Sequence, residues 1–149
     1  MYKHILFPHD GSTSSKKAAT ECIGIAKCLG ASISAIHIIR PPFFYEDDAP
    51  RDLRREIDRR FEALTQAGAY GPLAELQTYA EENGIEWTTT VVMGVKPYRD
   101  IVDHAMKTGC DLIVMASHRR AGFHAWLHGS QTTEVLSHCH IPVLVLRGT

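Results

Sequence analysis

The sequence predicts an α/β fold, a five-stranded parallel open sheet with helices on both faces. Two observations lead there. Short apolar, β-branched segments alternate with longer helical patterns, the signature of repeated βαβ units. The connecting segments also carry helix start and stop signals, with Pro97 opening one helix and Gly30 and Gly109 closing two. At 149 residues the chain is near the usual size of one domain. With no internal repeat, low-complexity stretch or linker, residues 1–149 are expected to form a single domain.

Taken in order, His4 to Phe7 reads as the first strand. Ser12 or Thr13 then caps a helix with Ala18, Cys22, Ile25, Ala26 and Leu29 on its apolar face and Gly30 at its end. Ser32 to Ile39 is the second strand. Pro41-Pro42, Phe43-Phe44-Tyr45 and Glu46-Asp47-Asp48 form an irregular loop, and helix resumes from Arg51 to Asn83 with a break or kink at Gly68 and Gly71-Pro72. Glu86 to Val92 is the third strand. The next helix, from Pro97, turns Ile101, Val102, Ala105 and Met106 inward. Asp111 to Met115 is the fourth strand, Ser130 to His138 a helix with Val135 and Leu136 inward, and Val143 to Leu146 the fifth strand.

Composition narrows the function classes. No apolar run approaches the roughly 18 residues of a membrane span, so no membrane association is expected. The N-terminal apolar stretch is short and soon followed by Pro8 and Asp10, unlike a signal peptide, and the expected location is cytoplasmic. Cys22, Cys28, Cys110 and Cys139 show no CxxC spacing and read as buried thiols. A net charge of −1 removes the simplest electrostatic case for nucleic acid. In the arginine-rich run from Arg51 to Arg60, Asp52, Glu56 and Asp58 are interleaved, as on a solvated helix with i,i+3 and i,i+4 pairs.

Right-handed crossovers and coverage of both faces leave few topologies for this element order. The Rossmann-like or flavodoxin-like order 3-2-1-4-5 reverses its winding beside the first strand, and ligands bind outside the carboxyl ends of the strands at that reversal. The turn Pro8-His9-Asp10-Gly11-Ser12 and the turn after the fourth strand, Ser117-His118-Arg119, would flank one cleft.

Gly129-Ser130 has the chemistry of an anion site. Glycine admits a close ligand, the Ser130 hydroxyl can donate, and the N–H groups of Ser130, Gln131 and Thr132 lie along a dipole that favours negative charge. Serine is equally a plain N-cap. Asp10 can accept from a ribose or base, or hold a cation's water shell; alternatively Asp10 or Ser12 only caps the first helix. Among nine histidines, His124 and His128 have helical metal-ligand spacing, but no carboxylate or cysteine accompanies them, and they read as surface or rim residues. GxGxxG, GxxxxGK[ST] and GxSxG are all missing, which leaves dehydrogenase, P-loop and α/β-hydrolase readings without their required parts. A flavin-carrying electron-transfer protein is a further reading of such a sheet.

Several stretches in order carry a family likeness. They are Ile5-Leu6-Phe7-Pro8 into Asp10-Gly11-Ser12, Ala35-Ile36-His37-Ile38, Gly94 with Pro97 and Ile101, Asp111 through His118, Gly129-Ser130, and Ile141-Pro142-Val143-Leu144-Val145-Leu146-Arg147. Over essentially its whole length the chain resembles the universal stress protein family. Nucleotide-binding members carry a GxxGx9G[ST] motif whose glycines let backbone N–H groups wrap ATP phosphates. Aligned here, Ala116 and Arg119 replace the first two glycines, Gly129-Ser130 is kept, and nine residues still separate Arg119 from Gly129.

Ala116 is tolerable where φ is negative, whereas Arg119 loses the freedom of glycine. Arg119 either folds away to contact phosphate or fills the pocket, and Gly122 loosens the loop toward the first outcome. The resemblance implies that Asp10 and the backbone of Ile38 meet ribose and adenine, with Pro8 and His9 lining the pocket. It places Ala116, Ser117, His118, Arg119 and Gly129 through Thr132 at the phosphates of ATP, with or without Mg²⁺. It implies little intrinsic catalysis, so no catalytic residue is nominated, and a homodimer through Val143, Leu144, Val145 and Leu146. The expectation is a dimeric adenine-nucleotide switch or sensor; the alternative is a nucleotide-free interaction protein whose site Arg119 has closed.

Overall fold

The computed structural model describes residues 1–39, 50–66, 71–117 and 129–147. Its elements are β1 (His4–His9), α1 (Thr13–Leu29), β2 (Ser32–Ile39), α2 (Arg51–Gln66), α3 (Gly71–Glu82), β3 (Trp87–Met93), α4 (Pro97–Thr108), β4 (Leu112–Ser117), α5 (Gly129–His138) and β5 (Val143–Arg147). The strands form one sheet in the order β3-β2-β1-β4-β5, and every pairing is parallel. The chain winds outward from β1 through β2 to β3, then returns to the other side of β1 for β4 and β5.

Both faces of the sheet are covered, so β1 is buried from Ile5 to His9. Alternate residues serve opposite layers. Ile5 and Phe7 pack with Ala18, Cys22 and Ile23 of α1 and Leu73 and Leu76 of α3. Leu6 packs with Ile101 and Ala105 of α4 and Val135 of α5.

Local signals fix several boundaries. Ser12 caps α1, its Oγ accepting the Ser15 N–H at 3.1 Å. Gly30 and Gly109 end α1 and α4 in the left-handed region, at φ 61° and 70°, where a side chain would be strained. The Asp111 carboxylate ties the start of β4 to the start of β1, Oδ2 accepting the Lys3 N–H at 2.8 Å and Oδ1 the His4 N–H at 3.0 Å. Burial alone would raise the Asp111 pKa; the N–H groups of His4 and Lys3 outweigh it and hold the carboxyl below its ordinary range.

The structure corrects some expectations. Met106 is 69% and Leu136 54% exposed, so neither faces the core. In each case the adjacent position, Ala105 or Val135, takes the inward direction, and successive helical residues diverge by about 100°. Cys28 is exposed and Cys139 half-buried, while Cys22 and Cys110 are buried. The helical stretch between β2 and β3 divides into two helices, in keeping with the expected break, α2 ending at Gln66 and α3 beginning at Gly71. Glu56 pairs with both Arg59 and Arg60, the latter at 3.0 Å, as the interleaved charges predict. The loop holding Phe43-Phe44-Tyr45 lies outside the described residues. No helix among the described residues is long and apolar enough to cross a membrane.

Candidate functional site: a cleft at the winding reversal

The two central strands part company at their carboxyl ends. β1 pairs with β2 as far as His9↔His37, but with β4 only at Ile5↔Leu112 and Leu6↔Ile113. Beyond Leu6 stands Pro8, which has no N–H to give a neighbouring strand. The β1–β4 ladder thus ends at the point where the winding reverses, which is where open α/β sheets accept ligands.

On the β1 side, the turn Asp10-Gly11-Ser12 is closed by its own side chains. Asp10 Oδ1 accepts the Ser12 N–H at 2.9 Å, and His9 Nδ1 accepts the Gly11 N–H at 3.0 Å. Gly11 has φ 81°, a conformation that asks for glycine. The capping role in this turn falls to Ser12, while the Asp10 carboxylate closes the turn on the Ser12 N–H. Pro8 is buried and Asp10 half-buried.

His9 is only 2% exposed. Burial pushes its pKa down to about 4 against the opposing pull of Asp10, so the ring is neutral at pH 7. From β2, His37 Nδ1 lies 2.7 Å from the His9 carbonyl oxygen. Because that oxygen only accepts, His37 carries its proton on Nδ1. Burial lowers the pKa of His37 as well. The sequence reading placed His37 in the second strand but gave it no role at the site; the signal lay in register, since His9 and His37 are paired positions of parallel neighbours.

On the β4 side, Ala116 is 2% exposed and lies within the strand, opposite Leu146. Extended backbone has negative φ, so alanine in place of the first motif glycine is free of strain. Ser117 ends the strand half-buried. His118, Arg119, Gly122, His124 and His128 lie outside the described residues.

Helix α5 begins at Gly129, followed by Ser130, Gln131 and Thr132 in its first turn. Gln131 Oε1 accepts the Tyr98 N–H at 3.1 Å, joining the first turns of α5 and α4. That bond replaces a cap for α4, because Lys96 at its N-cap makes none. It also ties the α5 start to the rim where β3 hands over to α4. Ile38 is buried and pairs with Val92 on that flank of the cleft.

The same rim holds a close approach that sequence does not show. A Cβ on Gly94 would stand 1.8 Å from Asp100 Oδ2. That oxygen is buried with no hydrogen-bond partner among the described residues. Burial, with Asp103 nearby, raises the Asp100 pKa. No group of three or more metal-ligating side chains occurs among the described residues.

The profile of the Universal stress protein family matches residues 1–147. The chain belongs to the universal stress protein family. A universal stress protein of Methanocaldococcus jannaschii, MJ0531, is 35% identical over 147 residues, a match covering 99% of this chain and 83% of that protein. The solved structure of MJ0577 from the same organism superposes with a TM-score of 0.79 at 24% identity, covering 100% of this chain and 98% of that one. A universal stress protein solved in complex with cAMP superposes with a TM-score of 0.69 at 20% identity, covering 99% of this chain and 98% of the other. At these identities the two structures establish the shared fold, and the universal stress protein fold accounts for the strand order and the reversal beside β1.

Proposed function

We propose that this universal stress protein binds an adenine nucleotide, ATP by preference, in the cleft between the ends of β1 and β4. The observation that carries the reading is the parting of those strands after Leu6↔Ile113, with the Asp10 turn on one side and the α5 start on the other. In this reading Asp10 and the Ile38 backbone take ribose and adenine, Pro8 and His9 support that wall, and Ala116, Ser117, His118 and Arg119 follow the phosphates. Gly129, Ser130, Gln131 and Thr132 offer the positive end of α5 to them. Support comes from membership in the family and from a relative of the same fold that holds cAMP.

The protein acts as a switch or sensor, in the cytoplasm, rather than as an enzyme. Nucleotide occupancy alters a surface shared between two copies joined through β5. Calorimetric titration with ATP, with and without Mg²⁺, tests the binding directly, and a dissociation constant weaker than millimolar retires it. A second reading is favoured by Arg119 standing where the motif has glycine. In that reading the arginine fills the phosphate turn, the protein works as a nucleotide-free dimeric interaction module, and Arg119→Gly gains ATP binding that the parent chain lacks.

A further inference from the structure

The turn that carries Asp10 is held by the residue before it. Gly11 directs its N–H at His9 Nδ1, 3.0 Å away. A backbone N–H can only donate, so Nδ1 bears the lone pair and the neutral ring keeps its proton on Nε2. The residue is 2% exposed, and Nε2 has no hydrogen-bond partner among the described residues. A buried N–H left unpaired is costly, and an apolar side chain would avoid that cost. What an apolar side chain cannot do is accept the Gly11 N–H.

The main chain of His9 is fixed as well, because its carbonyl oxygen accepts from His37 Nδ1 at 2.7 Å. Ring and backbone are thus both anchored one residue from Asp10, whose Oδ1 accepts the Ser12 N–H. We propose that His9 is the positioning residue of the cleft, its Nδ1 holding the Gly11 N–H and thereby setting the orientation of the Asp10-Gly11-Ser12 turn toward the nucleotide. The inference rests on the nucleotide reading of the cleft.

The groups that act electrostatically on the ring are Asp10 beside it, His37 from β2 and Lys16 from α1. Burial outweighs all three, and the ring remains an acceptor through the neutral range. A proton on Nδ1 would set donor against donor at Gly11.

Three variants separate this role from simple packing. In His9→Asn, Oδ1 falls near the place of Nδ1 and can accept the same N–H. In His9→Gln the amide reaches toward the Nε2 side, and His9→Leu offers no acceptor. Hydrogen exchange of the Gly11 amide is followed by NMR without ligand, and ATP affinity is measured by calorimetry, both at pH 7. Leu and Gln are expected to speed Gly11 exchange and weaken ATP binding by about tenfold each, while Asn keeps both within about threefold of the parent.

Equal Gly11 protection in all four proteins overturns the proposal. So does unchanged ATP affinity in the Leu variant despite faster exchange. If the parent itself does not bind ATP, the nucleotide reading falls, and with it the claim that the turn serves a nucleotide. Gly11 exchange then still decides whether His9 holds the turn. Should the Leu variant fail to fold, the comparison of Asn with Gln carries the same decision.

Discussion

His9 makes the cleft wall sensitive to acid. Its folded pKa is about 4 against an ordinary 6.5, so between those values the unfolded chain binds a proton that the folded chain refuses. Stability is therefore complete above about pH 6.5, falls as pH drops below it, and the loss levels off near pH 4. At pH 5 the loss from His9 is on the order of 2 kcal/mol, and His37, shifted the same way by burial, adds to it. Urea denaturation at pH 7 and pH 5 should show this difference, and His9→Asn should reduce it. Gly94 and Asp100 form a second residue-scale unit. Gly94→Ala should destabilise by about 1–2 kcal/mol, because its methyl displaces the Asp100 carboxyl. Adding Asp100→Ala should return part of that loss, which a double-mutant cycle on thermal midpoints would measure. At this scale the caps were legible in the sequence. Ser12, Gly30 and Gly109 act on backbone within a few residues of themselves. His37 against His9 and Gly94 against Asp100 were not, because one depends on pairing between strands and the other on how a helix turns after a loop.

Among the elements, every strand and helix among the described residues had a counterpart in the sequence reading, with ends that moved by a residue or two. β1 runs on through Pro8 to His9 because its β2 ladder continues there after its β4 ladder has stopped. Inward and outward assignment was less legible in the short helices. α5 is 10 residues long, so its apolar stripe holds too few positions to choose between neighbours. Val135 is 0% and Leu136 54% exposed. Val135→Ala should therefore cost about 2 kcal/mol in urea denaturation, through lost burial and the cavity it leaves. Leu136→Ala should stay within about 0.5 kcal/mol. Equal losses would mean that α5 is rotated about its axis from the orientation described.

For the whole molecule, the sheet order leaves β3 and β5 as its edges. β5 is short and apolar, with Leu144 38% exposed and Val143, Val145 and Leu146 half-buried. An open apolar edge invites pairing with another strand, and a second copy supplies an identical one. Light scattering should give a dimer at micromolar concentration for the parent chain. Leu144→Lys, which sets a charge on that edge, should give a monomer with little change in thermal midpoint. A parent chain that is already monomeric would remove the dimer from the proposed function. The Arg119 variant belongs to this scale too, because the proposed function couples occupancy of the cleft to the pairing of β5.

The sequence by itself determined the alternation of strands and helices, the caps, and the family membership that its motifs imply. These follow from local backbone preferences and from residue types at fixed spacing, which need no knowledge of distant contacts. Only the tertiary structure decided that the β1–β4 ladder ends after Leu6, that His9 is buried with Nδ1 turned onto Gly11, and that Gln131 caps α4 in place of Lys96. Each of those depends on groups brought together by sheet register and helix packing across long stretches of chain, and register is a property of paired strands rather than of either strand alone.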